Sequence, residues 1–396
     1  MIPAADVERA VGIEWYATDG SPCLGVAKSV PQDFIVEELL QEGEVSKEEL
    51  PNYLPLYRVE KRSIDTLHMA KDLADILKSR VSYGGMKDKR AVAVQFVTPS
   101  SRRSSRPSQV TRENYTADLV GYVPRPMTRA AVAGNRFSIV LRECSPEIGE
   151  RVVDAMALAK DRRVPNYYGL QRFGTSSVGT HLVGGALVRG RFDEAVGLLT
   201  KGPFSGGRDV ENEVAKQLKS RPGDWIGAMR AVPVRLRRLY VQAYQSYLFN
   251  RTISEALSAG EDISKMKQGD NWAETAEGGI ATSAPRGVKD TPTARAVPMV
   301  QLVGYAFRDY GSRFDFLVKK VLEAEEIKPA QFFVKEMQEV SSEGGFRRPH
   351  LAVRDASWKV GEGTASLNFT LAKGQYATTL LREITKSRDP AASGLA

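Results

Sequence analysis

Two runs of strict alternation constrain this chain most. Phe137, Ile139 and Leu141 alternate with Arg136, Ser138 and Val140, and far downstream Ala365, Leu367, Phe369 and Leu371 alternate with Ser366, Asn368 and Thr370. A period of two sends successive side chains to opposite faces, so each run reads as a strand with one buried face. Further strands are expected over Phe34 to Leu39, over Leu56 to Glu60 after the Pro51 and Pro55 breakers, over Ala91 to Thr98 and over Ala117 to Tyr122. Helical spacing interleaves with them. Ser63 is expected to cap a helix whose stripe is Ile64, Leu67, Ala70, Ala74 and Leu77 and which ends near Arg80. Glu150 to Lys160, and the stretch bearing Leu380, Leu381 and Ile384 after Gly374, carry the same period. The mixture predicts an α+β chain, and no fixed-period repeat points to a solenoid or propeller.

The middle has a different texture. Val178 to Gly190 is Gly-rich, Gly206 to Lys219 is charged, Val234 to Ala259 reads as a long aromatic helix, and Gly278 to Pro298 is a polar Gly/Pro/Thr stretch expected to be a mobile excursion. An inserted domain is expected there, over residues 171–344, with 1–170 and 345–396 forming the other unit. A chain of 396 residues is long enough for two such cores.

Charge and cysteine usage narrow the function classes. The 56 Lys+Arg against 48 Asp+Glu leave a net +8, which suits a polyanionic partner such as RNA, or an anionic membrane surface, without demanding either. Cys23 and Cys144 are too few for a disulfide framework or a four-cysteine metal site, and a reducing compartment is expected. The first residues lack a basic-then-apolar leader, and no uninterrupted apolar run of about 18 residues occurs, so a cytoplasmic protein that does not span a membrane is expected. No phosphate loop, nucleophile elbow or clustered Cys/His set is present, and His68, His181 and His350 lie far apart. Catalysis would therefore rest on carboxylate, Lys/Arg, Tyr or backbone groups.

Asp88 is the carboxylate with the unusual setting. It follows Gly84-Gly85 and is flanked by Lys87, Lys89 and Arg90, cations that favour its ionised form and would hold RNA phosphate beside it. A turn aspartate capping backbone amides has the same local appearance, and the residues alone leave both open. Pro165 to Gly174 packs aromatics, Arg172 and two amides between a Pro and a Gly, a set able to stack a base or to plug a core. Arg102 and Arg103, with Arg106 and Arg112, make Ser100 to Arg112 either a backbone clamp or a solvated loop. Arg237 and Arg238, opening the aromatic helix, are better placed for RNA than its tyrosines, which read as core.

In their order along the chain, four segments resemble the TruD family of tRNA pseudouridine synthases. Lys28 precedes Pro31-Gln32-Asp33-Phe34-Ile35-Val36-Glu37-Glu38, similar to the family's Pro-x-Asp-Phe-x-Val-x-Glu; Gly85 to Ala91 matches Gly-x-Lys-Asp-x-x-Ala, with Gln95 further on. Gly134-Asn135-Arg136-Phe137 resembles Gly-Asn-x-Phe, and Pro165-Asn166-Tyr167-Tyr168-Gly169 with Gln171-Arg172-Phe173-Gly174 matches the family signature without departure. Gln242 to Ser246 is similar to the archaeal and eukaryotic branch, although less specific. The resemblance implies a pseudouridine synthase fold with a mixed, largely antiparallel sheet and an inserted α/β domain, and a positive cleft between them for RNA. It implies isomerisation of uridine, at position 13 of tRNA by the family name, without cofactor or metal and with no obligate protein partner. Asp88 would be the catalytic carboxylate, Lys28 its charge partner, Phe137 a face for the flipped uracil, and Asn135 a group orienting Asp88 or the base. Whether Asp88 acts as nucleophile or removes a ribose proton stays open. Lys87, Lys89, Arg90, Arg102, Arg103 and Arg172 are the expected RNA contacts. A non-catalytic RNA-binding or RNA-folding protein on this scaffold, or a different carboxylate-dependent glycosidic enzyme, are the alternatives.

Overall fold

The computed structural model describes residues 1–41, 43, 45–174, 178–200, 208–274 and 292–395. In chain order its main elements are β1 (Phe34–Leu40), β2 (Leu54–Lys61), α1 (Thr66–Leu77), β3 (Val81–Tyr83), β4 (Val92–Pro99), β5 (Gln109–Arg112), β6 (Tyr115–Val123), β7 (Val132–Leu141) and α2 (Ile148–Lys160). There follow α3 (Thr180–Val188), α4 (Phe192–Thr200), α5 (Arg208–Ser220), α6 (Trp225–Ala231), α7 (Val234–Ser258) and α8 (Arg313–Ala324), then β8 (Val353–Gly361), β9 (Thr364–Ala372) and α9 (Ala377–Thr385).

The strands form one nine-stranded sheet of order β8-β9-β7-β1-β4-β2-β6-β5, with β3 paired to β4 off this path. Only β1 and β4 run parallel; the other neighbours are antiparallel. The two alternating runs that open the sequence reading lie side by side, Phe369 opposite Phe137 and Leu367 opposite Ile139. Their shared face is buried under α2 and α9, in a core that includes Phe34, Val36, Ile148, Val152, Leu380 and Ile384. Farther along the sheet, Tyr57, Val59, Val97 and Ala117 are buried against Met69, Leu73 and Leu77 of α1. Both helical layers cover the same face, because Phe137 is level with Val36, Val36 with Ala93, and Ala93 with Lys61.

Several local expectations are corrected. The cap of α1 is Asp65, not Ser63: its carboxylate accepts the amides of Leu67 and His68, and Ser63 sits at φ 57° in the preceding turn. The buried stripe shifts accordingly to Met69, Ala70, Leu73 and Leu77, and Leu67 is 45% exposed. Pro55 does not break β2 but pairs with Tyr122 inside it, and Gln109–Arg112, expected as loop, is the edge strand β5. The excursion expected over 278–298 lies mostly outside the described residues. Among the described residues no helix is long and apolar enough to cross a membrane.

In the middle segment α3 and α8 pack against the long α7, while α4, α5 and α6 pack on one another and α4 on α3. A Cβ on Gly184 of α3 would meet the Tyr240 carbonyl oxygen at 2.0 Å, so only glycine permits this helix approach. The described β structure here is confined to short ribbons, Trp272–Glu274 with Ala296–Pro298 and Val300–Leu302 with Gly345–Arg347. Ala4, Val11, Ile13 and Tyr16 join this core, together with Tyr167 and Leu170, so the first residues of the chain bridge the two units. The bridge is polar at its centre. Arg382 of α9 donates to Glu8 at 2.7 Å and to Glu383, and Glu383 accepts the amides of Ala17 and Thr18. All three side chains are almost fully buried. Arg382→Ala would strand two buried carboxylates, so a loss of about 3–5 kcal/mol is expected, read as a lowered urea midpoint.

Candidate active site

β4 has two neighbours on one edge: β1 runs beside Val92 to Val94, and β3 beside Val97 to Pro99. The loop from Gly84 to Ala91 leaves β3 and returns as β4, so it must pass over the junction between them. Gly84 is forced by the tight exit, since a Cβ there would lie 2.4 Å from a Val132 methyl. At the junction the buried Glu38 accepts the Phe96 amide at 3.0 Å with one oxygen and the Lys87 ammonium at 2.5 Å with the other. The Lys87 amide in turn donates to the Thr66 hydroxyl at 2.9 Å, whose proton goes to Gln95 Oε1 at 3.0 Å. From beneath, Lys61 Nζ donates to the carbonyls of Ile64 at 2.8 Å, Asp88 at 3.0 Å and Lys87 at 3.4 Å.

This scaffolding presents one carboxylate outward. Asp88 Oδ2 accepts from Lys28 Nζ at 2.9 Å and Oδ1 from the Arg90 amide at 3.0 Å. The Asp88 side chain is 42% exposed, whereas Lys28 is only 6% exposed, so the cation lies behind the carboxylate and leaves its front open. Lys28 holds φ 60°, and its ammonium lies 4.9 Å from the centre of the Phe34 ring. Desolvation is the largest single influence on the Asp88 carboxyl and pushes it up. The Lys28 charge, the Arg90 amide, the Lys28 hydrogen bond and the Lys61 charge together outweigh it, and the net direction is below the ordinary aspartate value.

Phe137 lies in the sheet row containing Val36 and Ala93, 6% exposed, with its ring stacked on Phe369 at 5.5 Å and edge-on to Phe34 at 6.0 Å. One row along, Asn135 is level with Glu38. The Asn135 Oδ1 and Gln95 Nε2 atoms are buried without a hydrogen-bond partner, an unspent acceptor and an unspent donor on the face that carries the Asp88 loop. Lys89 and Arg90 are exposed on that loop.

Other expected RNA contacts lie elsewhere. Arg102 donates to Asn52, just before β2, whereas the Asp88 loop is tied to Lys61 at the far end of that strand. An eight-residue strand spans roughly 25 Å, so Arg102 and Arg103 are remote from the carboxylate. Arg172 bonds Ser246 and Gln242 of α7, 5.9 Å from the Tyr168 ring. Arg347, which the sequence reading passed over, lies 3.9 Å over Tyr168 and joins Asn166 to the Gly374 carbonyl. Arg237 is corrected outright: it is buried, ion-paired with Glu339 and bonded to the Val232 carbonyl, while Arg238 donates to the Glu339 carbonyl.

Two further residues also escaped the sequence reading. Lys61 was legible by parity, since Tyr57, Val59 and Lys61 share a face of β2 and only the first two are apolar. Arg235, near the start of α7, reaches across to Met86 of the Asp88 loop at 2.9 Å; nothing local in the sequence announces that contact.

A family model for tRNA pseudouridine synthase D (TruD) matches residues 10–210 and 204–384. A protein of Pyrobaculum arsenaticum named "Probable tRNA pseudouridine synthase D" is 32% identical over 98% of this chain and 99% of its own length, and a Methanosarcina mazei protein of the same name is 28% identical over 96% and 98%. The crystal structure of a tRNA pseudouridine synthase D (TruD) homologue from Methanosarcina mazei superposes with a TM-score of 0.77 at 26% identity, covering 98% of this chain and 99% of that one.

Proposed function

The chain belongs to the tRNA pseudouridine synthase D family, and on that premise we propose that it isomerises uridine 13 of tRNA to pseudouridine with Asp88 as the catalytic carboxylate. The family implies an isomerase acting on tRNA. The assignment of Asp88 rests on one observation, an outward-facing carboxylate backed by a buried lysine and favoured in its ionised form, whereas position 13 rests on the family resemblance alone. The reaction breaks the N1–C1′ bond, turns the uracil and joins C5 to C1′; the proton on C5 is lost and N1 gains one, so no redox partner is consumed. Reaching C1′ requires the nucleotide to leave its stack. Asp88 then acts at the ribose or at uracil, as nucleophile or as base. Phe137, fixed between Phe34 and Phe369, contributes the floor of the pocket, and the unspent Asn135 carbonyl suits the N3–H of uracil.

In this reading the sheet-bearing unit, 1–170 with 345–396, carries the chemistry in the cytoplasm, and the 171–344 unit supplies the far wall of the cleft through Arg235. Lys89 and Arg90 neighbour the carboxylate and would hold the flanking phosphates, as would Arg235. Release of tritium from C5-labelled uridine in tRNA transcripts tests the reaction, and a transcript carrying cytidine at position 13 tests the target. Release that persists from the position-13 variant would remove that assignment; free uracil in place of pseudouridine would make the protein a glycosidase. Arg235→Ala is expected to weaken tRNA binding and to flatten the plot of log K against log[salt] by about 0.7–0.9, the value of one phosphate contact. An unchanged slope would remove Arg235 from the interface.

A further inference from the structure

Lys61 ends β2 and its side chain is fully buried. An ammonium carries three protons, and three carbonyls receive them: Ile64, Lys87 and Asp88. None of these acceptors is charged. Burying a cation against neutral acceptors alone is costly, and a methionine would fill much of the same space without that cost. The charged groups facing Lys61 are Asp88 and Lys87 on the loop and Asp65 at the cap of α1, with Lys28 on the far side of the Asp88 carboxylate. Two of the three carbonyls belong to the catalytic loop, one of them to Asp88 itself.

We propose that Lys61 is a positioning residue for the isomerisation: it clamps the main chain at Lys87 and Asp88 and lays a positive charge beneath the carboxylate, keeping Asp88 aimed and ionised. This rests on the reading of Asp88 as the catalytic group. Lys28 and Lys61 then divide the work, the first gripping the carboxylate and the second its backbone. Burial pulls the Lys61 ammonium down to about 8, while the Asp88 and Asp65 charges hold it up. A neutral amine has two protons for three carbonyls and turns a lone pair toward one of them. The clamp therefore loosens as pH rises through about 8, and the catalytic rate falls with it.

The test is a single-turnover pH profile on a tRNA transcript for the wild-type protein and Lys61→Met, with tRNA affinity measured in parallel. Lys61→Met is expected to bind tRNA nearly as well, to react about 10²-fold more slowly, to lose the limb near pH 8, and to show an acid limb moved toward neutrality because Asp88 has lost a cation. A slower variant whose profile superimposes on the wild type would reduce Lys61 to a structural role and overturn the proposal. Should Lys61→Met not fold, lysine-labelled NMR on Asp88→Asn gives a second measurement, the Lys61 signal being identified by its loss in Lys61→Arg. Removal of the Asp88 charge should lower the Lys61 titration, and an unmoved titration overturns the coupling. Activity retained by Asp88→Asn would instead sink the reading of Asp88 and leave this coupling measurement standing.

Discussion

Asp88→Asn is expected to abolish pseudouridine formation, with a fall on the order of 10⁴-fold or more, while tRNA binding is held or slightly tightened. The substitution keeps the shape of the side chain and an oxygen that can accept from Lys28 or the Arg90 amide, the two contacts that fix the carboxylate. It removes the lone-pair basicity and the charge on which either chemical route depends. Because one negative charge leaves a basic surface, phosphate binding gains rather than loses. The fold should tolerate the change, since the side chain is 42% exposed and its amide oxygen still accepts from the buried Lys28 ammonium. Tritium release from C5 measures the rate, and filter binding over a salt series measures the affinity. Measurable turnover in a folded variant would remove Asp88 from the chemistry. Loss of binding in step with loss of rate would point instead to a carboxylate that merely shapes the loop.

How much of this could be read from the chain follows from the range of the interactions. Alternation about Phe137 and Phe369 is a local signal and it located strands that pair directly. The neighbouring β8 left no such trace, because as an edge strand exposed along most of its length it needs no apolar face. β5 hid in an Arg- and Ser-rich stretch for the same reason. At the site, the Gly84 to Arg90 segment showed a carboxylate among cations, but whether those cations touch it is a tertiary fact. Lys28, sixty positions away, makes the contact, while Lys87 beside it turns to Glu38. Arg237 fails in the opposite sense. Its charge and its place at a helix start suggested exposure, and a carboxylate more than a hundred residues later, Glu339, made burial possible. Patterns of period two or three to four report which face is buried; they do not report which distant charge covers a given cation.

Lys28→Met should lower kcat/KM at neutral pH by about 10²-fold, through lost orientation of the carboxylate, and should do so with a change in pH dependence that a merely damaged fold would not produce. Desolvation is the largest influence on the Asp88 carboxyl, and the cations and the amide only together outweigh it. Removing Lys28 deletes both its charge and its hydrogen bond, which leaves the Arg90 amide and the Lys61 charge to oppose desolvation. The carboxyl then rises, and the acid limb of the kcat/KM profile moves toward neutrality. Stability follows the same sign. In the wild type the folded-state carboxyl lies below its unfolded value, so the pair stabilises fully above the unfolded value, and that contribution is lost as pH falls through the folded one. In Lys28→Met this acid-side loss should shrink or reverse. Profiles measured from pH 4 to 9, with urea midpoints over the same range, separate the outcomes. A parallel drop in rate with an unmoved acid limb would mean that Lys28 packs against Phe34 without setting the charge of Asp88, and that the ionised carboxylate owes its state to the Arg90 amide and Lys61 instead.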